Sequence, residues 1–486
     1  MSSLSSSTNQ ANTTFNKVLV LDNGAYNIKA STSHQHLTNP SNPYVIIPNQ
    51  VGKTKKDNKR NIIGSDLIDY PDPSELKTRT PLEKGYITNW TLEKEIWDNI
   101  FKRDELKIKP QEYGLLLTEP PFALEEVRKP MYEVVFEQYK FKSLYLATPA
   151  SLGLIHMKST NNQQIDQQQQ QLSPSYTPPP YSQSFYQSPC HLVVDCGYSS
   201  THVIPHFQNT KLNYAIKRIN VGGKILTNYF KEIVSFRYWD MMHETRLMNT
   251  IKERICYIST DFIKDIVTSK ESPSSYKVEY VLPDYNNLKD KAGYIRYDAL
   301  KGGEIINHGN NIATNGDDKQ DEKMTDSNDN DDNNNNDKDS KEKTVKQNSD
   351  QQEEENQLLT LVNERFTVPE LLFNPSDIGI NQGGLAEAIV QSVNLTNPNL
   401  HIPLYSNIVL MGGSSQFPGF KERLQIELRK LVQPEYEISI HQCQEPILAP
   451  LYGGIRFSQL ADYHKFTVTK QEYDEHGYNL CNKRFY

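Results

Sequence analysis

Residues 18–24 read Val-Leu-Val-Leu-Asp-Asn-Gly, and residues 192–199 repeat the theme as Leu-Val-Val-Asp-Cys-Gly-Tyr-Ser. An apolar run stopped by Asp-X-Gly is typical of a buried strand followed by a tight turn that aims backbone N–H groups at an anion. One such turn is a weak signal because Asp-Gly pairs are common in hairpins, but two copies strengthen it. A carboxylate on each turn, facing across a cleft, would hold a hydrated Mg²⁺ on the phosphates of a nucleotide. The repeat therefore predicts a split nucleotide site.

The composition bounds the architecture and the ligands. The chain has 486 residues, of which 36% are hydrophobic and 28 are tyrosines, so we expect two or more lobes with real cores. Its mean hydropathy of −0.68 indicates that part of the chain is disordered. A net charge of −8 disfavours a general nucleic-acid binder, because neutralising phosphates requires a basic face. No direct, sequence-specific nucleic-acid ligand is therefore expected.

The cysteines and the N-terminus indicate a reducing, intracellular location. The five cysteines are scattered and never spaced as C-x-x-C, which predicts neither a disulfide framework nor a zinc knuckle. Residues 1–16 are rich in Ser, Thr and Asn; they are expected to be disordered and lack the apolar core of a signal peptide. Because no stretch approaches ~18 apolar residues, we expect no contact with a membrane.

Two low-complexity segments interrupt sequence that otherwise looks folded. Residues 159–189 are rich in Gln, Ser and Pro, and residues 305–357 are dominated by Asn, Asp, Lys, Glu and Gln. Neither can bury enough apolar area to offset the entropy of ordering, so both are predicted to be disordered loops. Pro178–Tyr181 is expected to belong to a tolerated loop, and the acidic segment is expected to be a solvated spacer. The alternatives are that Pro178–Tyr181 docks as polyproline II on a groove of the WW type and that the acidic segment contacts histones.

Strands and helices alternate in the remainder. Apolar residues recur at helical spacing from Trp90 to Phe101, and Asn89 is suited to be the N-cap. A buried strand over 113–118 leads into an amphipathic helix predicted over 124–139. The second half repeats the theme from Leu192. The pattern predicts an α/β fold with two similar lobes and a ligand cleft between them.

Several stretches, in order along the chain, resemble signatures of the actin family. They are residues 85–90 (GYITNW), 116–119 (LLTE), 251–257 (IKERICY), 369–376 (PELLFNPS), 411–419 (MGGSSQFPG) and 468–477 (VTKQEYDEHG). The wording of residues 373–379 and 477–485 most resembles the nuclear actin-related protein 6 subfamily. The resemblance implies the actin-like two-lobed α/β fold, in which duplicated RNase H-like domains enclose a nucleotide cleft.

On that resemblance the chain divides into two lobes and a tail. The first lobe is expected at 17–158, with a shortened and altered subdomain-two loop near 48–64. The second lobe is expected at 190–304 and 358–456, on either side of the acidic insert. Residues 457–486 are expected to form an actin-like tail that packs on the first lobe.

The resemblance also implies site residues, which transfer one position at a time. Asp22, Gly24 and Lys29 stand where the family has its Mg²⁺-associated Asp, its turn Gly and its phosphate-binding Lys. Asp195 and Gly197 match the second phosphate loop. The remaining nucleotide-binding positions are Gly223, the adenosine-contacting pair Lys252 and Glu253, and the loop residues Gly412, Gly413 and Ser414. ATP is the implied ligand, with Mg²⁺ held through water by Asp22 and Asp195.

The departures from the family concern the chemistry. Ala25 replaces a hydroxyl residue that touches the terminal phosphate, Tyr26 replaces a small Gly, and Tyr198 replaces an Asp near the metal. The stretch Ala147-Thr148-Pro149 falls where the family carries the Gln that positions the attacking water, although His202 still matches a site His. Because hydrolysis depends on positioning and electrostatic stabilisation, the site is predicted to be a degenerate ATPase without a catalytic residue.

Other interpretations of these residues stay open at the level of sequence. Lys29 and Lys252 are also typical of solvated lysines. The pair Glu253–Arg254 is typical of an exposed helix face as well as of an adenosine contact. His202 and His206 have H-x₃-H spacing, but Pro205 lies between them and no third zinc ligand is evident.

The subfamily resemblance implies a function through assembly. It predicts a structural subunit of a nuclear chromatin-remodelling complex that exchanges a variant histone into nucleosomes and so regulates transcription. Its implied neighbours are a remodeller ATPase and a zinc-HIT-type subunit, with histones as a further contact and the cytoplasm as a second location. The alternatives are an active actin-family ATPase and a cytoskeletal protein acting at filaments.

The loop after Pro48 bears on self-assembly. Between Pro48 and Gly64 it carries Lys53, Lys55, Lys56, Lys59 and Arg60, and it does not resemble the filament-contacting loop of actin. Like charges in one loop disfavour close self-stacking. We therefore expect a protein that does not form a homopolymer.

Overall fold

Each Asp-X-Gly strand lies in its own six-stranded sheet within the described part of this computed structural model. The structure describes residues 17–33, 44–56, 61–169, 185–283, 292–303 and 357–485. The predicted disordered N-terminus, the stretch Pro178–Tyr181 and all but Gln357 of the acidic insert 305–357 lie outside these ranges.

The strands of the described residues are short. In chain order they are β1 (Val18–Asn23), β2 (Asn27–Thr32), β3 (Val45–Pro48), β4 (Val51–Thr54), β5 (Ile62–Ile63), β6 (Leu76–Arg79), β7 (Leu82–Glu83), β8 (Tyr86–Ile87), β9 (Gly114–Thr118), β10 (Ser143–Ala147), β11 (Cys190–Cys196), β12 (Thr201–Phe207), β13 (Thr210–Lys211), β14 (Lys217–Ile219), β15 (Val278–Val281), β16 (Tyr294–Asp298), β17 (Leu358–Leu361), β18 (Ile408–Met411), β19 (Ile440–Gln442) and β20 (Val468–Thr469).

Helices connect and cover these strands. In chain order they are α1 (Ser65–Ile68), α2 (Trp90–Lys102), α3 (Glu125–Tyr132), α4 (Pro149–Gln169), α5 (Gly223–Arg237), α6 (Thr245–Ile255), α7 (Phe262–Glu271), α8 (Glu364–Glu370), α9 (Leu385–Asn394), α10 (His401–Tyr405), α11 (Phe420–Leu431), α12 (Ala449–Ser458), α13 (Lys470–His476) and α14 (Tyr478–Arg484). Short 3-10 turns lie at Pro73–Glu75, Pro110–Glu112, Asn213–Ala215, Pro273–Ser275, Ala299–Lys301, Pro375–Ile378, Pro398–Leu400, Gly413–Gln416 and Tyr463–Phe466.

Contacts divide the chain into two compact units, residues 1–263 with 364–486 and residues 264–363. The smaller unit contains an antiparallel sheet of order β16-β15-β17 in the described residues. Tyr280 is fully buried on the central strand of that sheet and donates its hydroxyl to the Ala292 carbonyl at 2.6 Å. This unit therefore has a core of its own.

The two six-stranded sheets of the larger unit share one plan. The first has the order β20-β10-β9-β1-β2-β3, and the second has β13-β12-β11-β18-β19 with β14 beside β12. In each, the Asp-X-Gly strand pairs in parallel with one neighbour and antiparallel with the strand that follows its own turn. All five residues of β9 are buried, as expected for a parallel strand covered on both faces. The predicted α/β architecture is confirmed.

The predicted helix after Asn89 is confirmed, because the Asn89 side chain accepts the Leu92 N–H and α2 buries Ile96, Trp97 and Ile100. The single helix predicted over 124–139 is wrong in part. The α-helix ends at Tyr132 and continues as a π-helix over Glu133–Gln138. Pro130 lies inside this helix; it has no N–H to donate and its ring crowds the preceding turn.

Helices α4 and α12 cross closely between the two sheets. A Cβ atom on Gly453 would collide with the Leu152 carbonyl, and one on Gly153 would lie 2.8 Å from Met411 Sδ. The crossing therefore depends on glycine. Helix α4 also runs on to Gln169, so the beginning of the segment 159–189, predicted as a disordered insert, is helical; residues 170–184 lie outside the described ranges.

The C-terminal residues complete the first sheet. Strand β20 pairs antiparallel with β10 at its edge. Helix α13 begins with a capping box between Thr469 and Glu472, and Tyr473 stacks on Phe136 with ring centroids 4.5 Å apart. This segment thus packs on the sheet that carries β1.

The cysteines and the helices can be compared with the composition. All five cysteines lie within the described ranges and each is a free, buried thiol. Among the described helices, none combines the length and apolar character required to cross a bilayer.

Candidate functional site

A cleft of about 370 Å³ opens where the two Asp-X-Gly turns of the larger unit face each other. Pockets of this size are typical of small-molecule sites. Every residue predicted to bind the nucleotide lines it, namely Asp22, Gly24, Lys29, Asp195, Gly197, Gly223, Lys252, Glu253, Gly412, Gly413 and Ser414. The fold therefore gathers positions that are up to several hundred residues apart in the chain.

In the first turn, the carboxylate of Asp22 is paired with the ammonium group of Lys29. The β1–β2 register sets Lys29 directly opposite Asp22, and Lys29 Nζ lies 2.8 Å from Asp22 Oδ2. The Thr118 hydroxyl donates to Asp22 Oδ1 at 2.8 Å. Because the Lys29 side chain is only 12% exposed, the interpretation of Lys29 as a solvated lysine is wrong.

The second turn repeats the geometry with different electrostatics. The β11–β12 register sets His202 opposite Asp195. Burial and the nearby Asp22 carboxylate raise the pKa of Asp195 to about 6, against the opposing effect of Lys29. Burial, helped by Arg218, lowers the pKa of His202 to about 3, so the ring is neutral. Its Nε2 is buried without a hydrogen-bond partner among the described residues.

Backbone N–H groups on both turns are available to an anion. Those of Gly24 and Gly197 are used inside their own turns. The next two N–H groups of each turn have no partner in the described part of the chain. They belong to Ala25 and Tyr26 in the first turn and to Tyr198 and Ser199 in the second. All four residues line the cleft. Successive unpaired N–H groups of this kind form anion-binding concavities.

The loop after β18 approaches the second turn too closely for any side chain. Gly412 has a φ of 87°, and a Cβ there would lie 2.5 Å from the Cys196 carbonyl oxygen and 2.9 Å from Asp195 Oδ1. Only glycine fits this position. By contrast, nothing lies within 4 Å of a Cβ built on Gly413, which leaves open space at that edge of the cleft.

Each of the two turns contributes a tyrosine ring to the lining of the cleft. The rings of Tyr26 and Tyr198 lie 4.8 Å apart, centroid to centroid, and both line the cleft. The Tyr26 hydroxyl accepts a hydrogen bond from Asn249 Nδ2 at 3.1 Å. Burial raises the pKa of both phenols, so they are neutral. An anion held by both turns would therefore lie close to these neutral rings.

The predicted adenosine-contacting pair is tied into a network on α5 and α6. Lys252 is 3% exposed, and its Nζ donates to Asn249 Oδ1 at 2.7 Å and to Thr227 Oγ1 at 3.1 Å. Burial lowers the pKa of Lys252. Glu253 accepts from Asn249 Nδ2 at 2.8 Å. Lys252 is thus not a solvated lysine, and its ammonium group already has protein acceptors.

The stretch aligned with the water-positioning Gln offers no amide. Of its three residues only Pro149 lines the cleft. The Thr148 hydroxyl lies 2.9 Å from Ser151 Oγ, which lies 2.9 Å from His206 Nε2. His206 Nδ1 is in turn bonded to the Ile204 carbonyl. The hydroxyls of Thr148 and Ser151 are therefore engaged with each other and with His206. Among the described residues, no cluster of three metal-ligating side chains occurs.

A polar layer beneath the first turn was not identified from the sequence. Asn23 Nδ2 donates to Glu93 Oε1 at 2.6 Å, while Asn23 Oδ1 accepts from Trp97 Nε1 at 3.1 Å. Asn49 Nδ2 donates to the Gly24 carbonyl at 3.1 Å. Burial raises the pKa of Glu93 to about 7, against the hydrogen bonds that it accepts. One feature of the sequence could have indicated this layer: Glu93 lies four positions before Trp97 and thus falls on the apolar face of α2.

A second unpredicted contact joins the two sides of the cleft at its rim. Arg218 on β14 donates to the Tyr86 hydroxyl at 3.1 Å and to the Lys84 carbonyl at 2.8 Å. Its guanidinium lies 5.5 Å from the centre of the Tyr86 ring. The Tyr86 hydroxyl donates to the Pro121 carbonyl at 3.0 Å. These bonds tie the β7–β8 hairpin to the second sheet.

Comparison with known proteins agrees with this geometry. The family model described as Actin matches residues 14–486. The chain is 58% identical over 481 residues to "Actin-related protein 6" of Dictyostelium discoideum, covering 98% of this chain and 96% of that protein.

More distant relatives match over their full length as well. "Actin-related protein 6" of Arabidopsis thaliana is 35% identical over 472 residues, covering 96% of this chain and 99% of the relative. "Actin-related protein 6" of Drosophila melanogaster is 31% identical over 471 residues, covering 96% of this chain and all of the relative (100%).

Proposed function

This chain belongs to the actin family and is an actin-related protein of the type represented by those relatives, and from that premise we propose that it is a structural subunit of a nuclear chromatin-remodelling complex. The complex would exchange a variant histone into nucleosomes and thereby regulate transcription. The neighbours in this proposal are a remodeller ATPase and a zinc-HIT-type subunit, with histones as a further contact. The support is the resemblance to the nuclear subfamily over the whole chain.

The proposal assigns the cleft to ATP as a bound structural ligand. Two turns with unpaired N–H groups flank the cleft, and Lys29 adds a buried cation beside them. Asp22 and Asp195 are carboxylates of the type that Mg²⁺ prefers, holding it through water as it usually binds nucleotide phosphates. The unpartnered Nε2 of His202 suits a water or ligand oxygen. Bound Mg²⁺ would neutralise phosphate charge.

The observation that carries the non-enzymatic part of the proposal is the tyrosine pair. Phosphoryl transfer requires an oriented water and concentrated positive charge around the terminal phosphate. Tyr26 and Tyr198 lie against each other in the lining of the cleft, beside the turns where that phosphate and water would meet. Pro149 has no group that could orient a water. Loss of one transition-state contact costs about 10²–10³ in rate, so the combined losses predict turnover near background.

Two measurements on one sample test the proposal. The tagged full chain is purified from nuclear extract at moderate salt, its co-purifying proteins are identified and counted by mass spectrometry, and its nucleotide is released with acid and quantified. We expect stoichiometric recovery of a large remodeller ATPase and a zinc-HIT subunit. We also expect that the bound nucleotide is ATP and that it is not converted to ADP when the purified sample is incubated.

The same sample distinguishes the competing functions. Recovery of actin and filament-binding proteins in place of the remodeller subunits, with most of the tagged chain found in a parallel cytoplasmic extract, would favour the cytoskeletal function instead. Conversion of the bound ATP to ADP within minutes would show an active ATPase. Either result would reject the corresponding part of the proposal.

A further inference from the structure

Strand β6 presents an open sheet edge with two exposed basic side chains. In the sheet β5-β4-β6 it pairs with β4 alone, as far as the described residues extend. Lys77 and Arg79 are exposed and point to the same face because they are two positions apart. Neither side chain has a hydrogen-bond or ion-pair partner among the described residues, although the backbones of both residues belong to the ladder with β4. An open edge of this kind is a template for another strand.

The charges of Lys77 and Arg79 are not neutralised by a described side chain. The register sets Lys53 directly opposite Lys77, so the residue that faces Lys77 on β4 offers no opposite charge. Strand β6 itself contains no acidic residue, and Glu75, which precedes it, lies 2.5 Å from Lys56 Nζ. Lys77 and Arg79 therefore present two positive charges on one face of the strand.

The backbone of β6 has a free donor and acceptor on its outer side. The Lys55 N–H donates to the Glu75 carbonyl at 2.9 Å, and in an antiparallel ladder such bonding residues alternate. Lys77 and Arg79 are therefore the residues that bond to β4, and Thr78 between them faces away from it. The Thr78 N–H and carbonyl have no partner among the described residues.

We propose that β6 binds an extended acidic segment of a partner protein, which adds as a strand on the side opposite β4. The incoming strand would pair with the Thr78 N–H and carbonyl. Its acidic side chains, at alternate positions, would lie beside Lys77 and Arg79 and would neutralise these two charges. A nucleic-acid backbone would match the charge but has no regular N–H donor for the Thr78 carbonyl. The occupant is thus a peptide strand.

The test uses the full chain and two labelled peptides of equal charge. One alternates Glu and Val, and the other has the same composition with its Glu residues in one block. Fluorescence anisotropy should show at least about tenfold tighter binding of the alternating peptide. Replacing Thr78 with Pro should abolish that preference, because Pro removes the outer N–H without removing a β4–β6 bond. Thr78→Val, which keeps the N–H, is the matched control.

If Thr78→Pro does not fold, a variant that changes only the charges of β6 tests the same proposal. The double change Lys77→Glu and Arg79→Glu leaves the backbone intact and should reduce binding of the alternating peptide at least about tenfold. Equal binding of both peptides, or tight binding of duplex DNA that Thr78→Pro leaves unchanged, would overturn the proposal and show a plain polyanion surface.

Discussion

At the scale of single residues, the two turns of the cleft have diverged from a common geometry. Both place a carboxylate opposite a basic side chain across a hairpin, Asp22 with Lys29 and Asp195 with His202. In the first turn the opposing group is the Lys29 ammonium, which is ion-paired with Asp22. In the second, burial keeps the histidine neutral, and Tyr198 adds an aromatic ring instead of a third carboxylate. The pair of turns therefore fits the proposal of a site that holds an anion without activating water.

The tyrosine rings can be tested by removal. The double variant Tyr26→Gly with Tyr198→Asp should bind ATP·Mg²⁺ at least about tenfold more tightly than the natural protein, because it opens the gap and adds a carboxylate for the metal. Isothermal titration of nucleotide-free protein measures this. The ring-preserving variant Tyr26→Phe with Tyr198→Phe should show no gain. Unchanged or weaker binding by the first variant would show that the rings do not obstruct the phosphates.

The buried Glu93 predicts a specific dependence of stability on pH. Its pKa is raised from 4.5 to about 7 in the folded protein, so the native state binds this proton more tightly than the unfolded chain. The contribution is present below about pH 4.5 and is lost as pH rises toward 7. Glu93→Gln should match the natural protein near pH 4 and exceed its free energy of unfolding by about 3 kcal/mol near pH 8.

Urea unfolding at the two pH values measures this difference. The exposed Glu83→Gln, on the β7–β8 hairpin, is the matched control and should change little at either pH. A difference for Glu93→Gln that does not vary with pH would contradict the prediction.

At the scale of elements, sequence patterns predicted what local physics determines. The strands ending in Asp22 and Asp195 and the helix capped by Asn89 follow from apolar periodicity and capping, and they lie where expected. The π-helix after Tyr132 was missed because its hydrogen-bond pattern depends on tertiary packing around Pro130. The layer of Glu93 beneath the cleft was missed for a similar reason, since a buried acid cannot be distinguished from a solvated one by spacing alone.

The crossing of α4 and α12 gives a prediction at this scale. Gly453→Ala places a methyl group against the Leu152 carbonyl, so the helices must separate. Overpacking of this kind costs about 1–3 kcal/mol, to be measured by thermal or urea unfolding. Gly413→Ala, where a Cβ meets open space, should leave the unfolding free energy nearly unchanged. Equal stability of the two variants would mean that the crossing tolerates a side chain.

At the scale of the whole molecule, the resemblance to a family supplied what no local pattern contains. It brought together Lys29, Lys252 and Gly412, which come from distant parts of the chain, and all three line one cleft. It did not foresee that the Lys252 ammonium group would be bound by Thr227 and Asn249. Such contacts depend on the identity of neighbouring side chains, which a motif does not specify.

Assembly behaviour is the prediction for the whole molecule. The exposed side chains of Lys77 and Arg79 would repel those of a neighbouring copy in a self-stacked array. We therefore expect a single monomeric boundary in sedimentation velocity under salt and nucleotide conditions that polymerise actin, which serves as the control. We also expect no co-sedimentation with preformed actin filaments. Pelleting of the pure chain, or saturable binding to filaments, would contradict this.

The tie between Arg218 and the β7–β8 hairpin bears on time rather than on affinity. A ligand that left the cleft past this hairpin would have to wait until the bonds to Tyr86 and Lys84 broke together. Such a clasp slows entry and departure alike, so it lengthens residence time while leaving the dissociation constant almost unchanged. A nucleotide enclosed during folding would then stay bound for the lifetime of the protein, as a prosthetic group does.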